Sequence, residues 1–559
     1  MGNRPRVRTR YQLRRAPPQA APLAESGRTH APVGGGVTLA DLAAGPPLDA
    51  VVIGGGINGC AVAEEVSARG LRVALFEASD FGFGTTWRST KLIHGGLRYL
   101  EHGDIRLVFE SLRERAWLLR TRPYLVTPQR FFLPMLPWSR RPGWQIRAGL
   151  ATYDLLAFRG GVPGHRAWSR DRLIEMAPYL PDVTAGGFSF YDARIHSPER
   201  LALELALAAE RQGAAVFNHT RVARILARTG AVSGVEVERA GEAFEVPARA
   251  VINAAGPWVD AVNRAGGLPG IELLGLTRGT HIVVELDEPL GRDAVFSTAK
   301  SDGRVFFAVP QGDLLLVGTT DDRFEGDPGS IRPTAEDIDY LLAEAQELMP
   351  GRQITRERIR YAYAGLRPLQ RVAGGPEAAI SRRHKVIDHA SHGGPRGMFS
   401  LVGGKLSTFR PLAREVARLL DPPRKRDEPG PGAPGWADVL RAAPLTLKQK
   451  QHLRIYGAGI ADALTGGQDA LCEHAGAIAG EVRYVARNEH VETLADIMLR
   501  RTGISWAACR GLCCAETVAE IAGKELGWKA PRRKKELKAF MDELDFHLPT
   551  PEMLAGGGA

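Results

Sequence analysis

The chain has 559 residues, 44% of them hydrophobic and 24% charged, with a formal net charge of +10. That length and apolar content exclude a disordered chain and call for roughly two to four domains around large cores. No apolar run reaches membrane-span length and no signal-peptide core is present, so the positive balance points to nucleic acid, an anionic membrane surface or an anionic substrate.

Much of the excess charge lies in residues 1–45, with Arg4, Arg6, Arg8, Arg10, Arg14, Arg15 and Arg28 among Pro pairs and a Gly triplet. This segment is expected to be disordered. It has the Arg-rich, acid-poor look of a transit peptide, but its prolines spoil an amphipathic helix, and an extended or misassigned start is an equal reading. Residues 49–78 then read as a complete βαβ unit. Val51–Ile53 form a strand, and Gly54, Gly56 and Gly59 follow in G-x-G-x-x-G spacing. A helix ends at Gly70, and a second strand, Val73–Phe76, leads to Glu77. Gly54 allows the tight turn, Gly56 admits a pyrophosphate to the helix N-terminus, and Gly59 lets helix and strand pack. Glu77 is placed to accept from ribose hydroxyls and disfavours a 2′-phosphate. The motif alone does not separate NAD from FAD.

After Glu77 no second βαβ follows. A Gly/Ser/Thr-rich loop runs instead into KLIHGGLRYLEHG at 91–103. The segment 134–158 combines Pro, Trp and Arg and then turns helical. A helix over 196–213 takes Ser197 as cap, Pro198 in its first turn and Gly213 at its end. Alternation at 221–225, 231–237 and 243–252 predicts a three-stranded meander, and strand-like runs at 281–285, 305–309 and 314–318 precede a helix near 334–348. A Pro/Gly/charge linker at 421–436 leads into a helical region, 437–548, where Val491, Leu494, Ala495, Met498 and Leu499 mark an apolar face. Cys509, Cys513 and Cys514 in AACRGLCCAETV invite a metal reading. No fourth ligand sits at zinc or iron–sulfur spacing, so buried structural thiols on a helix, with no metal, are expected.

The run KLIHGGLRYLEHG, with NAAGPWVD (253–260), RGTHIVVE (278–285), GTTDDRFEGDP (318–328), YAGLRPL (363–369) and GGKLSTFR (403–410), resembles the FAD-dependent, respiratory glycerol-3-phosphate dehydrogenases. The resemblance covers residues 48 to 420, with a weaker helical echo to 546. It implies an α/β fold: an FAD-binding Rossmann-like domain of the amino-acid-oxidase/glutathione-reductase type, a mixed-sheet substrate domain and an α-helical C-terminal domain. The flavin domain is expected in three pieces, 46–130, 196–267 and 361–420. A cap segment at 131–195 and a substrate domain at 268–360 would interrupt it.

The resemblance implies non-covalent FAD, since no histidine precedes a flavin-linkage motif. It places Gly54, Gly56, Ile57, Asn58, Gly59, Glu77, Thr86, Ser89, Lys91, Leu92, His94, Gly95, Val222, Ala255, Gly256, Lys405, Leu406 and Ser407 at the cofactor. Arg98, Tyr99, His281, Arg367 and Arg382 are the expected substrate residues, with Arg383 an alternative to Arg382. Guanidinium forks match phosphate oxygens. His281 is the expected general base, its alternative a hydrogen-bonded core histidine. Lys405 would hold negative charge at the flavin N1–C2=O edge, helped by the following helix. Arg88 stands where small residues are usual in the family. The implied reaction is oxidation of sn-glycerol 3-phosphate to dihydroxyacetone phosphate, with electrons passed to a membrane quinone. Rival readings are an oxidase that uses oxygen, a dehydrogenase of another 2-hydroxy acid or amino acid, and an RNA-binding flavoprotein. The last lacks an aromatic-interleaved basic platform, and no nucleic acid is expected. The expected location is cytoplasmic, peripherally attached to the inner face of the cell membrane. The candidate contact is PWSRRPGW, with Trp138 and Trp144 at headgroup level and Arg140, Arg141 and Arg147 on anionic lipid. The basic run Arg532–Lys535 is a second candidate. A homodimer is left open.

Overall fold

The computed structural model describes residues 37–555 apart from 102, 159, 269–270, 373–381 and 421–433. A six-stranded sheet organises the cofactor half, in the order Lys385–Asp388, Met398–Val402, Val251–Asn253, Ala50–Ile53, Val73–Phe76, Ala215–Phe217. All neighbours are parallel except the edge strand Lys385–Asp388. The strands Ala50–Ile53 and Val73–Phe76 are buried along their whole length, as continuous apolar runs covered on both faces require. The helix Ile57–Ser67 covers one face, with Cys60, Val62, Ala63 and Val66 fully buried.

A ten-stranded sheet forms the other half and includes the long strand Leu274–Glu285. That strand pairs with Leu314–Gly318 on one side and Ile359–Gln370 on the other. This sheet also takes Leu92–Ile93, Val126–Pro134 and Gly187–Ile195. The boundaries expected from sequence at 130 and 360 therefore cut through strands of one sheet. Val126–Pro134 pairs continuously with Gly187–Ile195, and Ile359–Gln370 belongs with the substrate strand rather than with the flavin sheet.

Most expected elements form. The helix Pro198–Arg211 is capped by the Ser197 hydroxyl, which accepts from the Arg200 N–H. The helix Ala335–Leu348 opens on a Thr334/Asp337 capping box. The meander is Arg221–Arg228, Ala231–Arg239 and Glu242–Pro247; the run beyond Pro247 passes into the flavin sheet as Val251–Asn253. The segment 1–45 is corrected at its C-terminal end. Thr38 and Asp41 make a capping box for the helix Leu39–Ala44, and Leu39 and Leu42 are buried. Residues 1–36 lie outside the described residues.

The C-terminal helices dock on the flavin domain through buried charge. Asp80 accepts from Arg500 Nε at 2.7 Å and from Arg501 Nη1 and Nη2 at 2.6 and 2.7 Å. Arg200 pairs with Glu489 at 2.6 Å. The expected apolar face at Val491, Leu494, Ala495, Met498 and Leu499 is wholly buried. Next to it Trp506 and His547 pack on Trp87, with ring centroids 5.0 and 4.7 Å apart. No helix among the described residues is long and apolar enough to cross a membrane.

Candidate active site

The site lies at the carboxyl ends of the parallel strands, where an open α/β sheet presents its loops to a ligand. Gly54 and Gly56 after the first strand, Glu77 after the second, Ala254–Gly256 after Val251–Asn253, and Gly403–Ser407 after Met398–Val402 all line one cavity of about 700 Å³. Gly54 has φ 103°, and a Cβ there would stand 2.7 Å from the Ala254 carbonyl. A Cβ on Gly59 would stand 1.9 Å from the Gly54 carbonyl, so this glycine serves packing and does not line the cavity. A Cβ on Gly56 meets only the Thr86 hydroxyl, at 3.4 Å. Gly56 also caps the helix without a side-chain hydrogen bond, leaving its first N–H groups for an anion. The Ile57 N–H alone is taken, by Thr86 Oγ1 at 3.0 Å.

The Glu77 carboxylate accepts from the Gly55 N–H at 2.5 Å and the Ser79 N–H at 2.8 Å. Burial raises its pKa, and those two donors oppose the shift. Val222, Ala255, Gly256, Leu406 and Ser407 also line the cavity, as do Asn58, Ser89 and Leu92. Asn58 Oδ1, buried there, has no hydrogen-bond partner.

Two expected cofactor residues point elsewhere. Lys91, at φ 56°, sets its ammonium 3.9 Å from Glu199 and under the Trp506 ring. Gly95 faces Tyr153, whose hydroxyl accepts its N–H at 2.8 Å, and a Cβ would collide with Leu112. Among the described side chains of the run KLIHGGLRY, Leu92, His94 and Tyr99 line the cavity. The side chain of Arg98 lies outside the described residues.

The far end of the cavity gathers the substrate candidates. Arg367 donates to Asp321 Oδ1 at 3.0 Å and to Thr319 Oγ1 at 3.0 Å. Arg382 donates to Asp321 Oδ2 at 2.7 Å, and its Nε is buried with no hydrogen-bond partner. Two guanidiniums thus share one carboxylate, which fixes them side by side. A Cβ on the facing Gly279 would stand 2.2 Å from Arg367 Nη2, so a side chain there would displace the guanidinium.

His281 stacks on Tyr363 with centroids 5.1 Å apart, and its Nε2 lies 2.9 Å from Thr90 Oγ1. Its Nδ1 is buried with no hydrogen-bond partner. Burial, Arg367 and Lys91 lower its pKa to about 3, so the ring is neutral at pH 7. Burial and the nearby Lys405 lower that of His94 likewise to about 3. Lys405 sets its ammonium 3.5 Å from the centre of the Tyr99 ring. Arg88, the departure from the family pattern, packs its guanidinium against Phe83, Trp87 and Phe546.

Asp321, Thr90 and Tyr363 were not singled out from sequence. Asp321 and Tyr363 lie inside two quoted motifs, GTTDDRFEGDP and YAGLRPL, and their residue types were the available signal. The cysteine expectation is corrected. Residues 507–514 form turns, not helix, and the helix starts at Ala515. Cys513 is exposed, and Cys472 and His474 join Cys509 and Cys513 from far along the chain. The membrane segment is also revised. Trp138 donates to the Thr298 carbonyl at 3.2 Å and packs on the substrate-domain core, whereas Trp144 is 74% exposed. Arg140 is held by the Asp302 carbonyl. Arg532 pairs with Glu536 at the start of its own helix.

The cradle of Gly54, Gly56 and Glu77, with the unpartnered polar atoms of Asn58 and His281, fits a dinucleotide carrying a redox ring, and the site is that of a flavin-dependent oxidoreductase. Residues 49–410 match the FAD dependent oxidoreductase family, and residues 431–533 match the C-terminal domain of alpha-glycerophosphate oxidase. The chain belongs to the FAD-dependent glycerol-3-phosphate dehydrogenase/oxidase family. It is 35% identical over 538 residues to a glycerol-3-phosphate dehydrogenase of Synechocystis, covering 89% of this chain and 96% of that one. It is 36% identical over 479 residues to D-erythritol 1-phosphate dehydrogenase of Brucella abortus, covering 81% and 94%. The structure of a glycerol-3-phosphate dehydrogenase from Bacillus halodurans complexed with FAD superposes with a TM-score of 0.72, at 26% identity, over 91% of this chain and 97% of that one. The cofactor is FAD.

Proposed function

We propose that this enzyme oxidises sn-glycerol 3-phosphate at C2 to dihydroxyacetone phosphate and passes the electrons to a membrane quinone. The observation that carries the substrate reading is the pair Arg367 and Arg382, bridged by Asp321 beside His281 at the end of the FAD cavity. FAD, when bound, would supply the two-electron acceptor for the hydride of C2. Arg367 and the free Nε of Arg382 bind the phosphate. His281, oriented by Thr90 at Nε2 and by stacking on Tyr363, takes the hydroxyl proton at Nδ1. An arriving phosphate offsets the charge of Arg367 and so raises the basicity of the imidazole where it is needed. Lys405, which lines the cavity, and the N-terminus of the helix Phe409–Leu420 would put positive potential beside a bound redox ring. Gly54, Gly56, Asn58 and Thr86, which line the cavity, would hold the pyrophosphate without a covalent link.

A quinone acceptor requires contact with a bilayer. The helix Gly143–Leu156 supports one, because Trp144, Leu155 and Phe158 are all more than 70% exposed with Arg147 beside them. The alternative reading is an oxidase, favoured by the match of residues 431–533 to the oxidase-type C-terminal domain. Turnover with glycerol 3-phosphate and a soluble quinone analogue, against turnover in oxygen with peroxide detection, decides between them. Fast quinone reduction with little peroxide supports the dehydrogenase; stoichiometric peroxide at an equal or faster rate overturns it. Flotation on anionic liposomes tests the helix. Trp144→Ala/Leu155→Ala should lose it, and retention by that variant removes this helix as the anchor.

A further inference from the structure

Three sulfurs from two distant segments meet outside the FAD cavity. Cys472 Sγ lies 3.4 Å from Cys509 Sγ and 3.5 Å from Cys513 Sγ, and Cys509 and Cys513 are 3.6 Å apart. With a ring nitrogen of His474, the four donor atoms all fall within 4.8 Å of one another. A disulfide would bring two sulfurs to about 2.05 Å, and these cysteines are free thiols. Four-coordinate zinc has Zn–S near 2.3 Å, which sets its S–S edges at about 3.8 Å. The near-equilateral triangle is therefore almost the face of a zinc tetrahedron, with His474 at the fourth corner.

The local chain is built for this. Cys472 ends the short strand Ala470–Cys472, and Gly476 at φ 78° turns the chain back into Ala477–Ile478. The turn aims the Ala475 N–H at Cys472 Sγ, at 3.3 Å, as a thiolate acceptor requires. Cys509 and Cys513 sit at the two ends of a tight loop, in which Arg510 and Gly511 both take positive φ, of 59° and 73°. Cys472 is buried while His474 and Cys513 are exposed, which gives the site a protein floor and an open side for metal entry. The fifth cysteine, Cys60, is remote in sequence and buried in the cofactor helix; Cys514 donates its thiol to the Gly511 carbonyl and lies beside Cys472 and Cys513, outside the four-donor group.

We propose that Cys472, His474, Cys509 and Cys513 bind one structural zinc ion. All four positions are filled by protein, so the ion is closed to substrate and to water. Its work is to pin the 505–513 loop. Tyr361, on the strand that also carries Tyr363 and Arg367, donates to the Ser505 and Ala507 carbonyls of that loop. Trp506 from the same loop packs on Trp87 and Tyr363. The zinc thus fixes, at one remove, the wall behind His281.

The test is elemental analysis and X-ray absorption on the full-length FAD-loaded enzyme, purified without chelator or added metal. About one zinc per chain, with Zn–S near 2.3 Å and Zn–N near 2.0–2.1 Å, is expected. Cys509→Ser and His474→Ala should each lose most of the metal, and Cys514→Ala should keep it. Should those variants fail to fold, the parent enzyme is stripped with a chelator and titrated with zinc against a competing indicator; stoichiometric uptake with a raised Tm is expected. Absence of zinc as purified together with no uptake on titration, iron in its place, or full zinc in Cys509→Ser overturns the proposal.

Discussion

Arg367→Ala separates phosphate binding from flavin binding. Its guanidinium is one of two that share Asp321, so its loss removes one of the two cations that meet the incoming phosphate and leaves the carboxylate beside it. A charge-assisted hydrogen bond contributes about 1.5–3 kcal/mol, which converts to roughly a ten- to hundredfold rise in KM for glycerol 3-phosphate. The strands behind it are held by the backbone register from Leu274↔Gln370 to Val284↔Ile359, so the sheet and the flavin cradle should survive. The assay is steady-state dye reduction, with flavin content read from visible absorbance in the same preparation. Gly279→Ala should mimic the effect, because its methyl displaces the same guanidinium. A KM for glycerol 3-phosphate within about threefold of the parent, at full flavin occupancy, would refute the phosphate assignment.

Two glycines of one motif should respond differently. Gly56→Val should fold and be colourless, because its side chain meets only Thr86 and fills the cavity, whereas Gly59→Ala should fold poorly or not at all, because its methyl strikes the Gly54 carbonyl; circular dichroism and flavin absorbance on both variants check this. His94 and His281 have folded pKa values of about 3, below the ordinary 6.5. Between those values the unfolded chain binds protons that the folded chain does not, so stability is complete above pH 6.5 and falls as pH drops, by about 1.4 kcal/mol per unit for each histidine. Urea midpoints from pH 7 to pH 5 should decline, and less steeply in His94→Gln. Turnover of His281→Ala should drop by roughly two to four decades with the flavin retained, and unchanged turnover would remove it as the base. Asp80→Ala leaves Arg500 and Arg501 without their buried shared partner, at a cost of about 3–5 kcal/mol; limited proteolysis should then release the C-terminal helices before the flavin domain.

The cofactor cradle was legible because its signal is local. Three glycines, two apolar strands and one acid lie within thirty consecutive positions, and each has a steric or hydrogen-bonding reason that survives any tertiary arrangement. The phosphate corner was legible only as separate arginines. That Arg367 and Arg382 share Asp321 follows from the pairing of distant strands, and no spacing in the sequence encodes it. Lys91 and Gly95 misled because a motif shared with a family says which segment approaches the flavin, not which side of that segment faces it. Trp138 and Trp144 have similar sequence surroundings, yet one turns into the core and the other to solvent. The Cys-x-His and Cys-x₃-Cys pairs, each too small to signal a metal, become one cluster only when the C-terminal helices fold. At the N-terminal end, Thr38-x-x-Asp41 was a readable cap, hidden by the Arg- and Pro-rich composition before it.

The central claim is that the FAD cavity and the Arg367–Asp321–Arg382 corner together oxidise a small polyol phosphate, glycerol 3-phosphate first. Anaerobic stopped-flow bleaching of the bound flavin tests it most directly, with glycerol 3-phosphate, glycerol, D-erythritol 1-phosphate, lactate and 2-hydroxyglutarate as substrates. Complete bleaching by glycerol 3-phosphate, with dihydroxyacetone phosphate formed at one equivalent per flavin and no bleaching by glycerol at the same concentration, is the predicted result. Faster bleaching by D-erythritol 1-phosphate would move the substrate within the family, and bleaching by lactate or 2-hydroxyglutarate but by neither phosphate would contradict the account.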